Sequence, residues 1–154
     1  MEVFINELEK LLKGGSAHVT FKDATADIPF EVLGERPHGL PYSIWQLVEH
    51  IRIAQWDMQE FSRNDNHKSP KWPEEYWPKE MAPADKENWD ASLMQITEDL
   101  KAFLTLLNTK NLYEPFAHGS GQSLLREALQ IADHTAYHVA EIVVIRRLLG
   151  IWKP

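Results

Sequence analysis

Residues 133–150 read DHTAYHVAEIVVIRRLLG. Apolar residues here recur so densely that a helix from about Ser123 to Leu149 would be apolar over more than half its surface. Such a helix sits at the centre of a bundle and touches several neighbours. Gly150 supplies a C-terminal cap, and Arg146 and Arg147 suit the negative end of the helix dipole. His134 and His138 lie four residues apart, which stacks them on one helical face with Cβ atoms roughly 5–6 Å apart. Two neutral imidazoles so placed can share one divalent ion, as the paired histidines of HExxH helices do. The competing reading is a pair of core histidines bonded to backbone or carboxylates. Spacing alone is weak in a chain with seven histidines. Placement among Ile131, Ala132, Val139, Ala140 and Ile142 is stronger, because buried ring nitrogens need partners.

Working outward, residues 43–62 give a second unbroken helical period: Ile44, Leu47, Ile51, Ala54, Met58 and Phe61. Ser43 as N-cap with Gln46 three residues on is a capping box. Trp89, Leu93, Ile96, Leu100, Phe103 and Leu107 recur at the spacing of a bundle seam, starting after an N-cap at Asp85. Val3, Phe4, Leu8, Leu11 and Leu12 predict a first helix of about three turns, stopped by Gly14-Gly15. Residues 16–42 lack a period and carry three prolines, with a helical turn expected near Phe30–Leu33. Ala17–Phe21 alternates weakly and reads as extended. Residues 63–84 hold Pro70, Pro73, Pro78 and Pro83, which excludes a long helix. Their Trp72, Tyr76 and Trp77 argue that this segment folds back onto the domain. Residues 108–121 read as a turn region. Four helices and no convincing strand define an all-α bundle with long ordered loops, one domain over residues 1–154.

The composition narrows the function. With 16 basic and 23 acidic residues the net charge is −7, and no positive stripe exists to follow a phosphate backbone, which argues against nucleic acid. The absence of cysteine removes disulfides, thiolate ligands and a cysteine nucleophile. Any metal must therefore use His, Asp, Glu or water. No run approaches the roughly 18 apolar residues of a membrane span, and the first residues lack the pattern of a signal peptide. The expected location is the cytoplasm.

The second helix offers a third ligand. His50 lies on the flank of its apolar stripe, and bundle metal sites form from inward side chains of facing helices. His50, His134 and His138 would leave a coordination position open, the mark of a catalytic rather than a structural site. Asp57, seven residues after His50, is placed either behind a ligand histidine or as a solvated carboxylate, the second being the plainer reading. Glu141, three residues past His138, reaches the edge of the pair or serves the surface. Glu49 and Asp133 point roughly 100° away from their neighbouring histidines. His38 and His118 sit in loops that would line a pocket mouth; His18 and His67 are expected in solvent. No phosphate-binding loop and no nucleophile elbow is present, and Ser120 has no motif around it.

PYSIWQLVEHIRIAQWD, followed by HTAYHVAEIVVIRRLLG, resembles the DinB-like (YfiT-like) superfamily, with Ser43, Trp45, His50 and the H-x-x-Y-H segment in matching places. ADIPFEVLGERPHGLPYS and the proline-tryptophan segment extend the likeness across the chain. The resemblance implies an up-down four-helix bundle, often a homodimer, with a divalent metal, typically zinc or nickel, on His50, His134 and His138. Relatives include thiol S-transferases that use bacillithiol or mycothiol-type cofactors, a maleylpyruvate isomerase and proteins named as hydrolases. The implied function is a metal-dependent transferase or hydrolase. It would activate a low-molecular-weight thiol or water against a small-molecule substrate. The alternatives are a non-catalytic, stress-related binding module and a plain bundle without metal.

Overall fold

The computed structural model describes residues 2–153. Four long helices, α1 (Glu2–Lys13), α3 (Ile44–Arg63), α4 (Lys86–Thr109) and α5 (Leu124–Leu148), build the bundle, and a short α2 (Phe21–Thr25) packs on α5. Among the described residues there is no strand; Pro115 and Ser123 form an isolated bridge. Among the described residues no helix is long and apolar enough to cross a membrane.

The expected caps are in place. Ser43 accepts from the Gln46 amide at 3.2 Å, and the Gln46 side chain accepts from the Ser43 amide at 3.3 Å. Asp85 caps α4 through the Asn88 amide at 2.7 Å. At the end of α5, Gly150 adopts a φ of 70° that a side chain would resist. Its amide donates to the Arg147 carbonyl and that of Ile151 to the Arg146 carbonyl, the paired bonds of a Schellman cap.

The segment 16–42 differs from the extended reading of Ala17–Phe21. Thr20 and Asp23 cap each other reciprocally and start α2, a T-x-x-D box that outcompetes the weak alternation. Arg146 does not simply face its own helix dipole. It is buried, and its guanidinium donates to the carbonyls of Asp23 and Ala24 at 3.2 and 2.8 Å, so α5 satisfies the end of α2. The turn expected near residues 30–33 is a 3-10 turn over Phe30–Val32.

Helix direction governs the rest. The Trp45 and Trp89 rings meet at 6.3 Å near the starts of α3 and α4. The Gln55 side chain donates to the Ile96 carbonyl at 2.6 Å at mid-height. Lys110, just past α4, donates to the Ser62 carbonyl at 2.9 Å near the end of α3. Helices α3 and α4 are therefore parallel. Phe61, at the end of α3, meets His118 just before α5 at 4.6 Å, so α5 runs against them. Phe4 meets Tyr113 at 6.4 Å and Asn108 donates to Glu9 at 2.9 Å, so α1 runs against α4. The bundle is up-down-down-up. A parallel α3–α4 pair obliges residues 64–85 to return along a 20-residue helix, about 30 Å. They form a strap along its flank.

Two apolar clusters fill the interior. One joins α2, the first half of α3 and the end of α5, around Leu33, Ile44, Leu47, Ile51 and Ile142. The other joins α1, the end of α4 and the start of α5, around Leu8, Phe103, Leu107, Leu124 and Ile131. Along α5 the histidines fall between Ala132 of the second cluster and Val139 of the first, so a polar layer interrupts the core.

Ser43 carries two loads, since its hydroxyl also donates to the Met81 carbonyl of the strap at 2.5 Å. Ser43→Ala is expected to lower the unfolding free energy by about 1–2 kcal/mol in urea titrations. Ser120→Ala, on an exposed loop, should stay within about 0.5 kcal/mol.

Candidate metal centre

His50 comes from the second turn of the N-capped α3, and His134 and His138 from successive turns of α5. One ring nitrogen of each lies within 4.8 Å of the others, a group that could hold a metal ion. The ring centroids are 4.5–4.8 Å apart. His50 is 2% exposed and His138 6%.

Hydrogen bonds assign the tautomers. The Nδ1 of His50 lies 2.8 Å from the Tyr76 carbonyl oxygen, which only accepts, so Nδ1 carries the proton. The Nδ1 of His138 lies 2.6 Å from the Glu141 carboxylate and donates to it. Both rings in their neutral form thus leave Nε2 unprotonated, able to accept a hydrogen bond or bind an ion. The Nε2 of His134 lies 2.9 Å from that of His50. Three nitrogens on one ion at about 2.0–2.1 Å would stand roughly 3.3 Å apart. The His50–His134 contact needs to widen by a few tenths of an ångström and the wider separations, up to 4.8 Å, need to close around the ion; three neutral imidazoles are a donor set that suits a divalent ion.

Burial keeps the cluster neutral. Burial, opposed by the bond to Tyr76 and helped by His138, pushes His50 down to about 4. Burial, then His138 and His50, pushes His134 down to about 3. At neutral pH these two rings are uncharged, the form in which an imidazole can bind a metal.

The strap shapes one wall. Trp77 stacks on His50, with centroids 3.8 Å apart and planes 6° from parallel, and Tyr42 stacks on the other face of this aromatic column at 4.1 Å from Trp77. Beside the histidines a cleft of about 390 Å³ is lined by Ala54, Asp57, Met58, Trp72, Tyr76 and Tyr137, among others.

The other sequence-marked residues divide. Asp57 is buried rather than solvated: it accepts from the Tyr76 hydroxyl at 2.5 Å and from His67 Nε2 at 2.7 Å. It therefore reaches His50 only indirectly, by holding the residue whose carbonyl orients that ring. His67 is accordingly packed inside the strap, with a side chain 7% exposed, instead of in solvent. His118 packs against two aromatic rings. Its ring lies between Phe61 and Phe116 and its Nε2 donates to the Phe61 carbonyl at 2.9 Å. His38 is exposed on a 3-10 turn, and His18 is exposed beside Val19. Glu49 pairs with Arg52 along α3. Of the candidates flanking the pair, Glu141 is the one that binds a histidine. The Tyr76 carbonyl and the stacked Trp77 had no pattern pointing to His50 beyond the density of aromatics in the strap.

A sequence profile of the DinB superfamily matches residues 17–142. The chain belongs to that superfamily, and the fold and the three-histidine cluster agree with it. Comparison with curated proteins and with solved structures gives no match.

Glu127, buried on the first turn of α5, has its carboxyl pushed up to about 7 by burial, with Arg126 lowering and Asp57 raising it. Its folded value exceeds its unfolded one, so its contribution is fully present below pH 4.5 and is lost as pH rises through about 7. Unfolding free energy should fall across that window. Glu127→Gln should flatten the slope and leave the variant the more stable form above pH 7, as urea titrations at several pH values would record.

Proposed function

We propose that the protein is a metal-dependent enzyme acting on a small molecule, with His50, His134 and His138 as the ligands. The observation that carries this reading is the convergence of three buried ring nitrogens beside an open cleft. Two of the three rings, His50 and His138, turn their proton-bearing sides outward to the Tyr76 carbonyl and Glu141. Three imidazoles suit zinc, nickel, copper or iron, and the likeness to the superfamily favours zinc or nickel among them. When bound there, such an ion lowers the pKa of a thiol or water coordinated at the remaining position.

The chain's own residues set the conditions for that chemistry. Glu141 and the Tyr76 carbonyl fix ring orientation and raise ligand basicity. Trp77 covers one face of His50 and keeps water from it. Asp57 and His67 pin Tyr76, and with it the strap that carries the carbonyl. The side facing Trp72, Tyr76 and Tyr137 remains open to a ligand. Transfer of a low-molecular-weight thiol to an electrophile, or hydrolysis by water, are the reactions this arrangement supports.

The test is turnover of an electrophile panel with and without added thiol, on metal-loaded and chelated protein. Metal-dependent turnover lost in His138→Ala is expected. Glu141→Ala should keep the fold and weaken metal affinity by roughly 10–100-fold. Turnover retained in chelated His138→Ala protein would overturn the mechanism, and full metal loading without any turnover would favour a non-catalytic binding module.

A further inference from the structure

The cleft beside the histidines has a charge and shape that select among ligands. It is bordered by His50 and His134 and takes carboxylates from Asp57 on α3 and Asp133 on α5. None of its lining residues is lysine or arginine. Arg126, further along α5, lines the adjoining groove instead, beyond Gln130 and Asp133. Asp133 is exposed and makes no hydrogen bond or ion pair among the described residues, so its charge is free to meet a ligand.

Two large aromatic rings stand open on this cleft. Trp72, on the strap, is 68% exposed; its ring lies 6.3 Å from His50 and meets Tyr76 edge-on at 5.4 Å. Tyr137, on α5, is 65% exposed and lies edge-on to His138 at 5.0 Å. The two come from different elements that border one cavity, and both leave ring area uncovered. Aromatic faces with a carboxylate beside them attract ammonium and guanidinium groups, through the ring quadrupole and the charge together. The same surroundings repel carboxylates.

We propose that the cleft receives a ligand bearing a small organic cation, an ammonium or guanidinium group, which rests against Trp72 and Tyr137 with Asp133 beside it. This rests on the reading of the cleft as the substrate site and adds the ligand's charge to it. An amine-bearing thiol or electrophile fits; a thiol carrying carboxylates is disfavoured.

Three probes of one shape and different charge separate the possibilities: phenethylammonium, 2-phenylethanol and phenylacetate. Each is titrated into the full chain after chelation, with the Trp72 indole resonance as readout, so that the cleft is read without metal. Phenethylammonium should bind about fivefold more tightly than the alcohol, with phenylacetate weakest, and its advantage should shrink as salt is raised. Asp133→Asn should remove most of that advantage and leave the affinity for the alcohol unchanged. Equal binding of all three, a preference for phenylacetate, or no shift of Trp72 with any of them would overturn the proposal. Metal uptake by the same preparation, measured separately, keeps the two readings apart. A cation preference in protein that takes up no metal would sink the metal reading alone, and full metal uptake without that preference would sink this one alone.

Discussion

Three imidazoles packed edge to edge in a protein interior must be neutral, and their nitrogens must find partners. The protein meets that constraint by turning protons outward. His50 gives its Nδ1 proton to the Tyr76 carbonyl and His138 gives its own to Glu141. The Nε2 of His50 is thereby left to accept from that of His134, 2.9 Å away, in a polar layer between two apolar clusters. In a core built otherwise of Leu, Ile and Val, such an arrangement is costly unless something shared satisfies the inward nitrogens.

The topology supplies the means. With α3 and α4 parallel, the chain must travel back along the bundle between them, and that return is the strap of residues 64–85. It brings the Tyr76 carbonyl to His50 and lays Trp77 on the imidazole face. Asp57 grips the strap twice, through Tyr76 and His67, and Ser43 holds its far end through Met81. Cap, strap and histidine cluster are thus connected: the residue that starts α3 also secures the segment that orients His50.

Much of this was legible in the sequence. The seam of α4, the boxed start of α3 and the dense apolar run of α5 each carry a period that tertiary packing did not override. The histidine triad was legible because helix periodicity places His134 above His138, and because His50 flanks an apolar stripe. What escaped the sequence depends on distant contacts. Asp57 reads as solvated because nothing local announces that Tyr76, nineteen residues on, returns to it. His67 reads as exposed for the same reason. The orienting group for His50 is a main-chain carbonyl, which no residue type encodes. Helix direction was equally hidden, since a long proline-rich segment can close an antiparallel pair or return along a parallel one. The T-x-x-D box at Thr20 was readable in principle, and the alternation around it masked the signal.

The central claim is that the inward nitrogens of His50, His134 and His138 share one metal ion. Anomalous diffraction from crystals of untagged protein, recorded on either side of the zinc and nickel edges, tests it most directly. The account predicts one peak per chain, about 2.0–2.1 Å from a nitrogen of each of the three rings. Crystals grown with metal present that show no anomalous peak at the triad, or show one only at surface residues, would contradict it.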